Sequence, residues 1–268
     1  MAMMKGSRAS YAKGLLLCAF LTGIWLFPLG DVVAQGTYEI QVYDSETETP
    51  GKIMIELHSN IAVEGTTQTT QGVLPSQHAL HETLEVTYGL TPWFETAFYL
   101  FTSIQPGMGW QWVGDHIRSK VRVPESWDWP VGVALSVEFG YQRSEFATDT
   151  WSVEIRPIID KRMGRWYLSF NPAFARSLKG IGANQGFEFT PSFKISYEFS
   201  SRISGGFEYY GSLGPISGFD PLKEQSHQIF PVVDLNLGPN WEFNFGVGIG
   251  LTSSTDRLIV KMILGRRF

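Results

Sequence analysis

The sequence predicts an all-β protein: a closed antiparallel transmembrane β-barrel of about 12 strands that follows a cleaved N-terminal signal peptide. Three observations support this prediction: long segments of alternating hydropathy, aromatic residues near the segment ends, and connectors that alternate between short and long. Segment 187–199 shows the alternation most clearly, since its odd-numbered positions are apolar or aromatic and its even-numbered positions are polar. Such a pattern is typical of a strand with one apolar face and one hydrated face.

The chain begins with the three parts of a secretory signal peptide. A stretch with basic residues, 5–13, precedes an apolar stretch at 14–29, and residues 32–34 supply a small-residue cleavage site. An anchoring helix is the alternative, but the apolar stretch is shorter than the roughly 20 residues that span a bilayer. Cys18 is the only cysteine and lies in this leader. The mature chain is therefore expected to contain no disulfide and no thiolate metal site.

We divide the chain into a signal peptide (1–34), a periplasmic N-terminal segment (35–51) and the transmembrane barrel (52–268). The N-terminal segment has a short alternation of its own, and we expect it to lie across the periplasmic mouth as a small plug or a partial extra strand. The predicted strands cover residues 52–63, 78–89, 93–104, 111–122, 131–143, 150–161, 166–177, 186–199, 202–213, 226–238, 241–252 and 256–268.

Strand length and aromatic placement favour a bilayer over a soluble sandwich, in which strands also alternate. Segments of this length suit the roughly 9–11 tilted residues that cross a membrane, and tryptophans near their ends suit interfacial girdles. Because each unpaired backbone group in hydrocarbon costs several kcal/mol, the sheet must close on itself. An even strand number places both ends at the periplasmic side and the longer loops outside.

The last residues, 256–268, carry a terminal aromatic, Phe268, with apolar side chains at alternating positions before it. This pattern resembles the signal that the barrel-assembly machinery recognises in bacterial outer-membrane proteins. Arg266 departs from the pattern, although a long cationic side chain at the interface can extend its charge into water. We therefore expect the bacterial outer membrane as the location, with membrane lipid and the assembly machinery as partners.

Several segments, among them 38–46, 89–95 and 254–268, resemble a family of uncharacterised outer-membrane proteins described as transporter-like. This family is akin to the phenol-degradation MetA-pathway group, and the resemblance covers essentially the whole mature chain. It implies the barrel fold, and it assigns no functional residues. The net charge of −5 makes nucleic acid an unsuitable partner, and no cofactor is expected.

By strand parity, many charged side chains are expected on the inner face of the barrel. The candidate lumen-lining residues are Glu56, Glu85, Glu95, Glu138, Glu154, Arg156, Glu188, Lys194, Glu198, Glu208, Asp234, Glu242, Arg257 and Lys261. They can form a structural ion-pair lattice, or they can line a narrow channel or transporter for small solutes. Their acidic excess favours neutral, cationic or aromatic solutes over anionic ones.

An outer-membrane enzyme of the lipase or protease type and a purely structural barrel are the alternatives. His58 and Ser59 would be the base and nucleophile, but adjacent residues of a strand point to opposite faces. His78 and His81 are possible metal ligands, but they are three positions apart and are therefore expected on opposite faces of a strand. The sequence therefore predicts no catalytic residues, no metal site and no enzymatic activity.

Overall fold

The computed structural model describes residues 38–268, so the predicted signal peptide lies outside the described residues. Twelve antiparallel strands form a single closed barrel, in which each strand pairs with its sequence neighbours and the first pairs with the last. The strands are β1 (Ile53–Glu64), β2 (Leu80–Thr91), β3 (Phe94–Gln105), β4 (Gly109–Arg122), β5 (Gly132–Gln142), β6 (Asp149–Met163), β7 (Trp166–Gly180), β8 (Glu188–Ser200), β9 (Ile203–Ser212), β10 (Ser226–Asn236), β11 (Trp241–Gly250) and β12 (Leu258–Arg267). The predicted fold class is confirmed.

The connectors define two different rims. One rim carries short turns, such as 164–165 and 201–202, together with one longer connector, 123–131. The opposite rim carries the longer loops, including 65–79 and 213–225. In barrels of this kind the rim with the longer loops, the long-loop rim, is extracellular, and the short-turn rim is periplasmic. No helix in the described part of the chain is long and apolar enough to span a membrane.

The connector between the third and fourth strands is shorter than the sequence predicts, since the predicted strands leave residues 105–110 between them. The strands β3 and β4 extend into it, so only residues 106–108 remain as a turn. Gly107 and Gly109 have φ values of 78° and 71°, a backbone conformation that glycine adopts without steric cost. A glycine-rich stretch therefore marks a tight hairpin here and not a long loop.

The outer face of the barrel is apolar. Large side chains alternate along each strand and are exposed there, as Leu135, Val137 and Phe139 are on β5. The tryptophans lie near the two rims, Trp166 and Trp241 at the short turns, and others beside the long loops. Apolar bands between two aromatic girdles are what a bilayer requires, because hydrocarbon contacts the middle and headgroups contact the ends.

Several apolar side chains break this rule and point into the lumen. Phe230 and Val232 on β10 and Ile158 on β6 are buried in the lumen. Gly248 on the neighbouring β11 provides the space for the ring, since a Cβ atom at Gly248 would overlap Phe230. Glycine is therefore required at this inner-face position because of its bulky neighbour.

The Gly248→Ala substitution is expected to lower the free energy of unfolding by about 1–3 kcal/mol, because the added methyl group overpacks the site against Phe230. Urea unfolding in detergent, followed by tryptophan fluorescence, measures this change. Gly218→Ala is the matched control, since a Cβ atom there meets no atom within 4 Å. Equal stability of the two variants would contradict the packing argument.

Candidate functional site

The lumen is occupied by the N-terminal segment of the protein. Residues 38–50, which we call the plug, run lengthwise through the barrel towards the short-turn rim, where they lead into β1. The sequence analysis assigns residues 35–51 to the periplasm as a plug or a partial strand. Their described part, 38–51, forms no strand and lies largely inside the lumen, with Tyr38 and Tyr43 only 5% exposed.

Side chains of the barrel wall hydrogen-bond the backbone of the plug. Thr83 Oγ1 donates to the carbonyl of Tyr38 at 2.7 Å, and Lys261 Nζ donates to the carbonyl of Ile40 at 2.9 Å. Asn171 binds Tyr43 twice, since its Oδ1 accepts from the amide at 2.8 Å and its Nδ2 donates to the carbonyl at 3.0 Å. Because the strands of a closed barrel already pair with one another, such side chains must satisfy the buried backbone of the plug.

Nearer the short-turn rim the plug is held by charged groups of the wall. Ser45 Oγ donates to Asp160 Oδ1 at 2.7 Å, and the amide of Glu48 donates to Glu95 Oε2 at 2.7 Å. Arg267 Nε donates to Glu48 Oε1 at 2.8 Å. Asp44 and Glu46 alternate with these anchored residues and face the adjoining cavity.

Apolar contacts hold the middle of the plug. Ile40 and Val42 pack against the inward-facing Phe230, Val232 and other apolar groups of β9, β10 and β12. On the opposite side of the plug, a second cluster joins Tyr38 to Ala97, Tyr99, Phe101 and Val113. The apolar residues that interrupt the polar inner face of the barrel therefore form the seat of the plug.

A buried ion-pair network connects β2, β3 and β4. Arg118 Nη2 lies 2.8 Å from Glu85 Oε1, and Arg118 Nη1 lies 3.0 Å from Glu95 Oε1. Lys120 Nζ also lies 3.0 Å from Glu95 Oε1. Each of these side chains is at most 5% exposed, so the charges persist inside the barrel only because they are paired.

A second network lies across the lumen on β8, β9, β10 and β12. Glu208 binds both Lys261 and Lys194, the latter with a distance of 3.1 Å between Oε1 and Nζ. Lys194 Nζ also lies 2.9 Å from Asp234 Oδ1. Between the two networks, Arg156 Nη2 lies 2.6 Å from Glu154 Oε1.

The candidate lumen residues fall into four groups by position. Most lie on the inner face in the pairs just described, with Glu138 beside His116. Glu56, Glu198 and Glu242 face the cavity near the short-turn rim, and Glu188 is buried near the opposite end of β8. Arg257 lies outside the lumen, at the long-loop rim, where its side chain is 84% exposed and pairs with Glu64.

The sequence analysis missed the cationic half of the first network. Arg118 and Lys120, like His116, alternate along β4 and all point inward. Val113 and Gly114 are both buried at a register irregularity between β3 and β4, so the inner-face phase of β4 shifts there. The alternation of His116, Arg118 and Lys120 was visible in the sequence and could have identified these residues.

A cavity of about 860 Å³ lies between the plug and the barrel wall, is lined mainly by β1–β4 and β8–β12, and extends to the short turns. We call it the vestibule. Glu56, Lys194, Glu198, Asp234 and Asn244 are among its lining residues. Its polar lining is suited to a small hydrated or charged solute, since the carboxylates in it outnumber the cationic side chains.

At the long-loop rim the connectors fold over the barrel. The amide of Leu74 in the first loop donates to the carbonyl of Glu145 at 2.9 Å, and Phe146 packs on the cluster around Tyr38. Ser76 Oγ donates to Asp256 Oδ1 at 2.5 Å, and burial raises the pKa of the Asp256 carboxyl. The loops thus cover part of the mouth above the plug.

The histidines do not form a serine-hydrolase arrangement. His58 points into the lumen and is fully buried, whereas Ser59 points outward, where its Oγ donates to Glu82 at 2.7 Å. His81 lies on the inner face against the ring of Tyr38, and His78 lies in the preceding loop.

A closed barrel of twelve membrane-crossing strands, apolar outside and charged inside, is an outer-membrane β-barrel of the class that includes channels and porins. Several solved structures have a similar fold. The outer membrane channel COG4313 from Pseudomonas putida F1 matches with a TM-score of 0.58 at 10% identity, over 86% of this chain and 100% of that chain. KdgM porin matches with a TM-score of 0.54 at 10% identity, over 80% of this chain and 99% of that chain.

NanC porin matches with a TM-score of 0.50 at 7% identity, over 79% of this chain and 97% of that chain. At these identities the likeness concerns the fold. No protein-family model and no curated protein matches the sequence. The fold places the protein in the bacterial outer membrane.

Proposed function

We propose that the protein is an outer-membrane channel for small solutes, closed in this conformation by its own plug. The observation that carries the proposal is the combination of the vestibule, about 860 Å³ in volume, with a plug that occupies the axis above it. A purely structural barrel has no need of a polar vestibule. Displacement of the plug would join the vestibule to the long-loop side.

The way in which the plug is held supports its displacement. Each strand is bound to two neighbours by backbone ladders, whereas the contacts of plug residues 38–48 with the wall are side-chain hydrogen bonds, ion pairs and packing. The side-chain hydrogen bonds are individually worth only about 0.5–1.5 kcal/mol. The plug can therefore leave the lumen while the barrel remains intact.

The vestibule favours neutral, cationic or aromatic solutes over anionic ones. Glu198 lines the vestibule and forms no ion pair with any residue in the described range 38–268, so its negative charge is available to a solute. Rings of carboxylates select cations in other channels. We also propose that the protein is related to the phenol-degradation MetA-pathway group, which its sequence resembles. That resemblance is in keeping with aromatic solutes.

We further propose membrane lipid and the barrel-assembly machinery as partners of the protein. Phe268 is half exposed at the seam of the barrel, where its amide donates to the carbonyl of Ile53 at 2.8 Å. Arg266 lies over the rings of Phe268 and Trp241, at 4.8 Å and 5.0 Å from their centroids. These contacts explain how a cation is accommodated in the terminal motif.

The Glu198→Lys substitution is expected to reduce the cation preference of the channel, because it replaces a vestibule carboxylate with a positive charge. Reversal potentials in planar bilayers under a salt gradient measure the preference. Glu125→Lys is the matched control, since Glu125 is 83% exposed on a short-turn connector. Anion preference in the unmodified channel would refute the solute assignment, and silence of the plug-free barrel would favour a structural role.

A further inference from the structure

We propose that Glu56, His58 and Glu85 form a binding site for a divalent transition metal ion, such as Zn²⁺, in the wall of the lumen. One nitrogen of His58 and one carboxylate oxygen of each glutamate lie within 4.8 Å of one another. All three side chains are buried, and two of them also line the vestibule. The vestibule therefore provides a path for the ion from the short-turn rim.

Strand pairing brings the three residues together. Glu56 on β1 lies directly opposite Glu85 on β2, and His58 shares the inner face two positions further along β1. The sequence analysis expected no metal site because it compared each histidine only with its near neighbours along the chain. The pairing of β1 with β2 supplies the carboxylates that those comparisons lacked.

Two carboxylates placed directly opposite on neighbouring strands repel each other. Arg118 compensates Glu85, whereas Glu56 forms no ion pair with the described residues and is only 7% exposed. A buried carboxylate without a partner is costly. A bound cation would offset the repulsion between the two carboxylates and would provide Glu56 with a partner.

The orientation of Glu85 directs one carboxylate oxygen towards His58. Its Oε1 accepts hydrogen bonds from Arg118 at 2.8 Å, Thr87 at 2.9 Å and Tyr99 at 3.0 Å. Its Oε2 has no hydrogen-bond partner among the described residues and lies 3.3 Å from Nε2 of His58. Outer hydrogen bonds of this kind hold a metal-binding carboxylate in position.

His58 is the second indication of a ligand. It is fully buried, its Nε2 is directed at Glu85 Oε2 at 3.3 Å, and its Nδ1 has no hydrogen-bond partner in residues 38–268. Two ligand atoms of a tetrahedral zinc site are about 3.5 Å apart, close to the separation of His58 Nε2 and Glu85 Oε2. A nitrogen ligand with two carboxylates suits zinc and its neighbours better than calcium or magnesium.

Zinc binding to the purified mature chain tests the site. The protein is treated with a chelator, loaded with ZnCl2, desalted and analysed by mass spectrometry for metal content, and its affinity is measured by titration calorimetry. We expect one zinc ion per chain and a higher Tm with zinc. Because the vestibule is reached without opening the plug, this result does not depend on channel activity.

Glu56→Gln is expected to weaken zinc binding at least tenfold and to abolish the zinc-dependent rise in Tm. This variant should fold, since it has the size of the original side chain and removes the repulsion with Glu85. His81→Ala is the matched control, because His81 is also buried in the lumen but lies outside the cluster. Absence of zinc from the wild-type protein, or equal binding by the Glu56→Gln variant, would overturn the proposal.

Discussion

Deletion of residues 38–48 is expected to convert a closed barrel into a conducting one, with a single-channel conductance several-fold above that of the full mature chain. The deletion removes Ile40, Val42 and Tyr43 from the barrel axis and leaves the wall unchanged, because β1 begins at Ile53. The vestibule then joins the space that the plug had filled. Planar-bilayer recording of the refolded variant measures the conductance.

A deletion of equal length in the first long loop, 65–75, controls for nonspecific damage, since this segment lies beyond the strands. Heat-modifiable mobility in gel electrophoresis establishes that each variant folds as a barrel. The gating proposal fails if the plug deletion conducts no better than the intact chain. It also fails if the loop deletion opens the barrel to the same extent.

Replacement of Lys261 with methionine is expected to lower the free energy of unfolding by about 3–5 kcal/mol, because it leaves a buried carboxylate with one cation fewer. Lys261 is fully buried and binds both Glu208 and the carbonyl of Ile40 in the plug. Urea unfolding in detergent, followed by tryptophan fluorescence, measures the loss. The plug should also become more accessible to protease.

Two further variants separate the ion pair from other effects. The double variant Lys261→Met with Glu208→Gln should recover much of the lost stability, since no uncompensated charge then remains at that position. Lys223→Met is the exposed control, because Lys223 is 76% exposed and its pairing with Glu224 is worth at most about 1 kcal/mol. A loss below about 1 kcal/mol at Lys261 would contradict the assigned role of the network.

The alternation of each segment was sufficient to predict the strands and their outward faces. In segment 187–199 the phenylalanines had to lie on one side, and a hydrocarbon environment for that side requires a closed sheet. The C-terminal segment ending at Phe268 indicated the bacterial outer membrane as the location, because it resembles the assembly signal of outer-membrane proteins. These inferences succeed from sequence because side-chain parity in a strand is a local property of the backbone.

Parity along single strands did not predict which inward side chains meet. The cross-strand pair of Glu56 with Glu85 depends on the register of β1 against β2, and the pairing of Arg118 depends on how β4 packs beside β3 and β2. The contact of Phe230 with Ile40 and Val42 likewise depends on packing between distant segments. Register is a relation between distant segments, so it has no signature in either segment alone.

The sequence by itself determined the barrel, its membrane location and the chemical character of its two faces. Only the tertiary structure decided what fills the barrel, because residues 38–50 acquire their position from contacts with five or more strands at once. The short alternation of this segment does not specify a position inside the lumen. Its place follows from the shape and charge that the closed wall presents to it.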